Sequence, residues 1–225
     1  MGRINYGTIL NRYKALGKGN VRLTQSTLIL SKPLSASQTT YSFDVLETQN
    51  ATLVGTEQRL NLNDEFIITQ LGIYLQATVT DGAGAVSYGT KWFSYVPAQV
   101  NAGAGVLNPV YNGSLQIAVN NVVYLDKFDT GKSLCIPRTQ DANFTTPSNA
   151  TLNSTNYNKD GMVSIEPMLT LSGAKKNNLI INLASAAAPF SLTTTSNTGT
   201  TKYVFDRIAI IARGLNAQNG ASFQN

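Results

Sequence analysis

Apolar and polar residues alternate along most of this chain with the two-residue period of a β-strand. The alternation is clean through Tyr41, Phe43 and Val45, again through Leu115, Ile117 and Val119, and again through Leu179, Ile181 and Leu183. Residues 21–30 alternate in part. Residues 65–79 form a longer run whose apolar parity changes near Gln70, which predicts a bulge or bend there, eased by Gly72. Further strands are expected over 86–96, 122–125, 134–136, 163–171 and 202–212, with Pro167 marking an edge or a bulge. Asp81-Gly82, Tyr111-Asn112-Gly113 and Asn120-Asn121 read as turns between them. About ten strands separated by turns of this kind predict an all-β, antiparallel sandwich or jelly roll. A single roll with extra strands fits the length better than two trimmed rolls, one in each half of the chain. Two polar stretches, 140–159 and 191–201, read as long loops. No short repeat runs through the chain.

The first residues break the pattern. Tyr6, Ile9, Leu10, Tyr13 and Leu16 recur at helical spacing, and Gly17-Lys18-Gly19 would stop the helix. Charge separates here as well. No acidic residue precedes Asp44, whereas Arg3, Arg12, Lys14, Lys18, Arg22 and Lys32 all do. The remainder carries 11 basic and 12 acidic groups, so a strongly basic beginning is followed by a near-neutral body within a chain of net charge +5. The chain therefore divides into a basic helical arm over residues 1–20 and a β domain over residues 21–225. Arg3, Arg12, Lys14, Lys18 and Arg22 are the candidate contact residues of the arm. Three uses fit such an arm: phosphate contacts to nucleic acid, an anionic lipid surface, or packing on a neighbouring subunit with the lysines solvated.

Composition narrows the chemistry. Only 13% of the residues are charged, against roughly 25% in an ordinary soluble domain. Few charges and many Asn, Thr, Ser and Gln suit surfaces that meet other proteins, because charged groups are costly to desolvate. A domain with a neutral polar exterior has a similar composition. The chain has no histidine, which excludes Ser-His and Cys-His catalysis, and its one cysteine, Cys135, reads as a buried structural thiol. Asp129-Thr-Gly-Lys-Ser133 matches the end of a phosphate-binding loop, but Asp126 stands where the motif needs glycine. Asp126 and Asp129 could contribute to a calcium site, although a solvated loop explains them more simply. Convergence of Glu57, Glu65 and Glu166 would be needed for a glycosidase, and their spacing does not support it. Tyr88, Trp92, Phe93 and Tyr95 fit either core packing or a sugar platform. The expectation is a non-enzymatic protein with no cofactor and no metal. No apolar run is long enough for a membrane-spanning helix, no signal peptide is expected, and Tyr6 breaks the myristoylation pattern after Met1-Gly2.

Three phrases carry a resemblance. They are Glu57-Gln-Arg-Leu-Asn-Leu-Asn-Asp-Glu-Phe-Ile-Ile-Thr69 with Leu71-Gly-Ile-Tyr-Leu75, the turn Asn108-Pro-Val-Tyr-Asn-Gly-Ser-Leu115, and Leu169-Thr-Leu-Ser-Gly-Ala-Lys-Lys-Asn-Asn-Leu-Ile-Ile-Asn-Leu183 with Arg207 to Gly214. Together they resemble virion proteins of phages and prophages of Bacteroidetes-type bacteria, over most of residues 20–219. The resemblance implies a jelly-roll capsid protein of tailless icosahedral phages, some of which enclose a membrane. The expected partners are then copies of the chain, other virion proteins, and packaged nucleic acid or an internal membrane met by the arm. The expected location is the virion, assembled in the host cytoplasm. The competing expectation is a spike or fibre module that binds host glycans through exposed aromatics such as Trp92 and a polar loop.

Overall fold

The computed structural model of the chain describes residues 6–17, 20–47, 57–94, 104–135, 161–196 and 199–221. Within them lie one α-helix, α1 (Tyr6–Ala15), and ten strands. The strands are β1 (Arg22–Pro33), β2 (Thr40–Phe43), β3 (Glu65–Asp81), β4 (Ser87–Phe93), β5 (Gly113–Val119), β6 (Val122–Asp129), β7 (Val163–Ser172), β8 (Asn177–Leu183), β9 (Phe190–Ser196) and β10 (Gly199–Gln218).

Two antiparallel sheets form a sandwich. The first is built on β3 and β10, which pair along nearly their whole lengths. Each of these long strands is flanked by two shorter ones laid end to end. β1 and β9 line the free side of β10, while β7 and β4 line that of β3. The second sheet runs β2-β8-β5-β6. One end of the first sheet therefore reads β1-β10-β3-β7, opposite β2-β8-β5-β6. With strands taken in chain order, that is the interleaving of a jelly roll. β4 and β9 are the extra strands, and they extend the first sheet beyond the roll. Because β1 and β3 pair with β10, and β8 pairs with β2, the two halves of the chain interleave in one sandwich rather than each closing a barrel.

The core lies between the sheets. Leu28, Leu30, Phe66, Ile68, Leu71, Ile73, Leu75, Phe205, Ile208 and Ile210 face Tyr41, Phe43, Leu115, Ile117, Leu179 and Ile181, all buried. The long strands stay apolar on this one face only because each carries a bulge. In β3 the inward residues switch from Phe66 and Ile68 to Leu71, Ile73 and Leu75 across Thr69, where the register with β10 shifts. In β10 they switch from Tyr203 and Phe205 to Ile208 and Ile210 across Asp206. The parity change near Gln70 was legible in the sequence; the second bulge was not singled out there. Gly214 sits opposite the first bulge, where a Cβ would collide with the Ile67 carbonyl oxygen, so only glycine fits this approach of two backbones.

Other differences from the expected elements have local causes. Residues 134–135 form no strand; they follow a 3₁₀ turn over Thr130–Ser133, and Cys135 N–H bonds to Ser94 O. Of the polar stretch 191–201, where the sequence predicts a loop, residues 191–196 belong to β9 and 199–201 to β10; residues 197–198 lie outside the described residues. Threonine favours the pleated backbone, and Phe190 and Leu192 supply the inward face. The other predicted loop, 140–159, lies outside the described residues. A 3₁₀ segment over Ala104–Tyr111 packs Leu107 and Val110 into the core, and Tyr111 donates to Phe93 O at 2.7 Å. One shared core predicts one cooperative transition. Phe205→Ala should cost about 3–5 kcal/mol, and far-UV circular dichroism and Trp92 fluorescence should shift together. Two separate transitions would show that the halves fold independently.

Candidate functional site

The basic N-terminal segment is the feature the sequence singles out, and the structure seats part of it on the sandwich. α1 lies against the outer face of the first sheet. Ile9 and Tyr13, one helical turn apart, are buried against Val21, Ile67, Leu215 and Ala217. Tyr13 Oη donates a 2.7 Å hydrogen bond to Glu65 Oε2. The helix ends at Gly17, whose φ of +73° is the left-handed conformation glycine adopts readily. Docking on its own β domain is a use of the apolar stripe not among the three read from the sequence. The stripe is also narrower than its spacing suggested, because Tyr6 and Leu16 remain exposed.

Of the five arm residues, Arg12 and Lys14 are exposed on α1 and Arg22 is exposed at the start of β1, whereas Arg3 and Lys18 lie outside the described residues. Arg12, Lys14 and Arg22 thus belong to the end of the first sheet where β1 begins and β10 finishes. The carboxylates there are engaged internally. Glu65 accepts from Tyr13, while Asp64 accepts from the Asn216 side chain and from Asn219 N–H. Among the described residues, none of these three cations forms an ion pair. Because the donors to Glu65 and Asp64 are neutral, those carboxylates keep their charges, and the three cations exceed them by one; any attraction for anions here is screened and long-range rather than a built pocket.

Residues 57–60 close the other side of the same sheet. Gln58 pairs with Ile29 on the free edge of β1, and Leu60 turns inward to bond with Val45 and Glu47 beyond β2. This strap buries the Glu57 carboxylate, which is only 2% exposed, among Arg59 at 3.0 Å, Arg207 at 3.6 Å and the Ser31 hydroxyl at 3.0 Å. Ser31 N–H also donates to Glu57, and Arg207 Nε donates to the Ser31 hydroxyl. Each residue of the cluster partners another within it, with only Arg59 Nε buried without a hydrogen bond, so the arrangement ties the strap to β1 and β10. Sequence reasoning treated Glu57 only as a possible member of a carboxylate set. Its alternation with Arg59 was the available signal, but Arg207 is distant in the chain.

The remaining chemistry candidates do not assemble. Glu57 is held by arginines, Glu65 by Tyr13, and Glu166 is exposed on the edge strand β7. Asp129 caps the 3₁₀ turn through the Gly131 N–H, and Asp126 accepts from Gln116. The Thr130–Ser133 stretch forms that turn and not a phosphate-binding loop leading into a helix. Trp92 is buried with Ile29, Tyr74, Ala209 and Ile211, so it is not an exposed sugar platform, and Phe93 is in the main core. Cys135 is half-buried, less enclosed than its apolar flanks suggested. No family model, curated protein or solved structure matches the chain.

Two measurements follow. Glu57→Ala leaves two arginines without their shared counter-charge and should cost about 3–5 kcal/mol in chemical denaturation. Burial, then the bond to Glu65, raises the Tyr13 phenol above its ordinary value of 10.0. The folded protein therefore holds this proton more tightly than the unfolded chain. Its contribution is complete below pH 10.0 and is lost as pH rises beyond that value. Tyr13→Phe should flatten this alkaline loss of stability, and an unchanged pH profile would show that the contact does not matter.

Proposed function

We propose that this chain is a structural shell subunit of a virus or phage particle, assembling with copies of itself and other virion proteins in the host cytoplasm. The observation that carries the reading is the sandwich in which β1-β10-β3-β7 opposes β2-β8-β5-β6, preceded by a basic segment that the body does not neutralise. A jelly roll is a rigid block with exposed loops and edges, suited to structural and binding roles alike. Three features favour assembly over ligand binding: the low charge content, the cations on α1 and β1, and the likeness of three segments to phage virion proteins. The burial of Trp92, the aromatic named for the glycan-binding alternative, counts against that reading; Tyr95 lies outside the described residues.

In this reading the end of the subunit bearing α1 faces the particle interior. Arg3, Arg12, Lys14, Lys18 and Arg22 contact packaged nucleic acid or an internal membrane there. Both are polyanionic surfaces, and binding to either falls with salt. The purified protein is expected to form closed particles, or small oligomers that convert to them, in light scattering and negative-stain images across salt concentrations. Replacing Arg3, Arg12, Lys14 and Lys18 together with Gln should impair assembly or yield empty particles. Full particles of normal yield from that variant would exclude the role given to the arm.

A further inference from the structure

The two outer faces of the sandwich differ in a way that points to where copies of the chain meet. The first sheet is dressed by its own chain: α1 covers one end and the strap over residues 57–60 closes the β1 edge. Among the described residues, no helix or strand packs over the outer face of the second sheet. Its three strands β2, β8 and β5, with sequences TYSF, NNLIINL and GSLQIAV, contain no charged residue. The register places Thr40 beside Asn182 and Ser114, Ser42 beside Ile180 and Gln116, and Asn178 beside Ala118 and Val123 on this face. Charges appear only around it, at Asp44, Asp126, Lys127, Asp129 and Lys176.

Among the described residues, the fourth strand, β6, is an edge with no further strand beside it. Val122, Val123 and Tyr124 are 55%, 48% and 58% exposed, three consecutive apolar side chains left in water. Neighbouring register shifts and Lys127, at φ +48°, bend this strand, which discourages unlimited edge-to-edge stacking; Val123, beside Ala118, lies on the outer face, Tyr124 is the extra residue of a bulge, and Val122 sits beside the inward Val119. The polar groups of the face are already partly paired with one another. Thr40 donates to Asn182 Oδ1 at 3.0 Å and Gln116 to Asp126 at 3.1 Å, so these groups keep a partner when the face is covered.

We propose that this face, from β2 to the Val122–Tyr124 edge, is the contact with a second copy of the chain. Charge decides the occupant. Two chains of net charge +5 repel, and β2, β8 and β5 form an uncharged area on which one copy can approach another without like charges meeting. A polyanion would find no cation across those three strands. An uncharged centre with a charged rim also matches the anatomy of protein–protein contacts. With the charged edge strand β6 included, four strands about 4.8 Å apart and roughly seven residues long give on the order of 450 Å², below the roughly 800 Å² per partner of a long-lived pair, and the uncharged part is smaller still. The contact is accordingly weak by itself and concentration-dependent. This inference rests on the reading of the chain as an assembling subunit.

Sedimentation velocity of the full-length protein over a range of concentrations tests it. The comparison is between the wild type, a Val123→Lys/Tyr124→Lys variant, a Ser42→Lys variant at the opposite margin of the face, and a Leu62→Lys control at an exposed apolar residue elsewhere. Circular dichroism checks that each is folded. The wild type and Leu62→Lys should self-associate alike, with association weakened about tenfold or more in the other two. If all four associate equally, the face is wrong and the shell-subunit reading survives. If the wild type stays monomeric throughout, with or without binding of a neutral glycan to this face, both are overturned.

Discussion

The pairing of β3 with β10 is the constraint on which the rest of the molecule depends. These two strands run side by side through the centre of the first sheet, and every other strand of that sheet is attached to one of them. Strands this long cannot keep one apolar face toward a core without correction, because sheets twist and coil as they lengthen. The bulges at Thr69 and Asp206 supply the correction. Each inserts one residue, reverses the side-chain parity, and keeps the following apolar residues on the inward side. Without them, half of either strand would turn its isoleucines and leucines to the outer face, at about 1.5–3 kcal/mol for each large side chain exposed.

Chain economy on the outer face follows from the same geometry. The long first sheet presents apolar residues outward at both ends: Ile67, Leu215 and Ala217 at one, Ile29, Tyr74, Trp92 and Ile211 toward the other. Residues that precede or follow strands cover them. α1 takes the first patch and Met162, just before β7, packs against the second, while the strap beside β1 brings Glu57 between Arg59 and Arg207. Buried ion clusters of this kind add little net stability compared with apolar packing, but they penalise any misplacement of the strap, since a displaced arginine would be left buried and unpaired. The second sheet's outward face is more polar, with Thr40, Ser42, Ser114, Gln116, Asn178 and Asn182 around Ile180, Ala118 and Val123. Among the described residues, one face of the sandwich is covered by its own chain and the other is not.

Positions and charge together support the functional reading. The cations of α1 and β1 cluster at one end of the first sheet, and the uncharged face belongs to the other sheet. A subunit that must meet both a polyanion and its own copies benefits from this separation, since each contact has the electrostatics it needs and neither competes for the same surface.

Much of this was legible in the residues. Two-residue alternation located β1, β2, β3, β5, β7 and β8, and the parity break near Gln70 located a bulge, because the periodicity of an exposed-and-buried strand is written directly into side-chain polarity. Helical spacing located α1, and the absence of acids before Asp44 located its charge. The threonine-rich β9 escaped notice because threonine is polar enough to read as loop while its backbone preference is for strand. Other facts existed only once the chain had closed. That Ile9 and Tyr13 bury against Ile67 and Leu215, that Glu57 meets Arg207, and that three uncharged strands distant in sequence lie side by side are all outcomes of long-range pairing. Local sequence sets which way a side chain can face; which partner it faces is set by strand order, and strand order is a property of the whole fold.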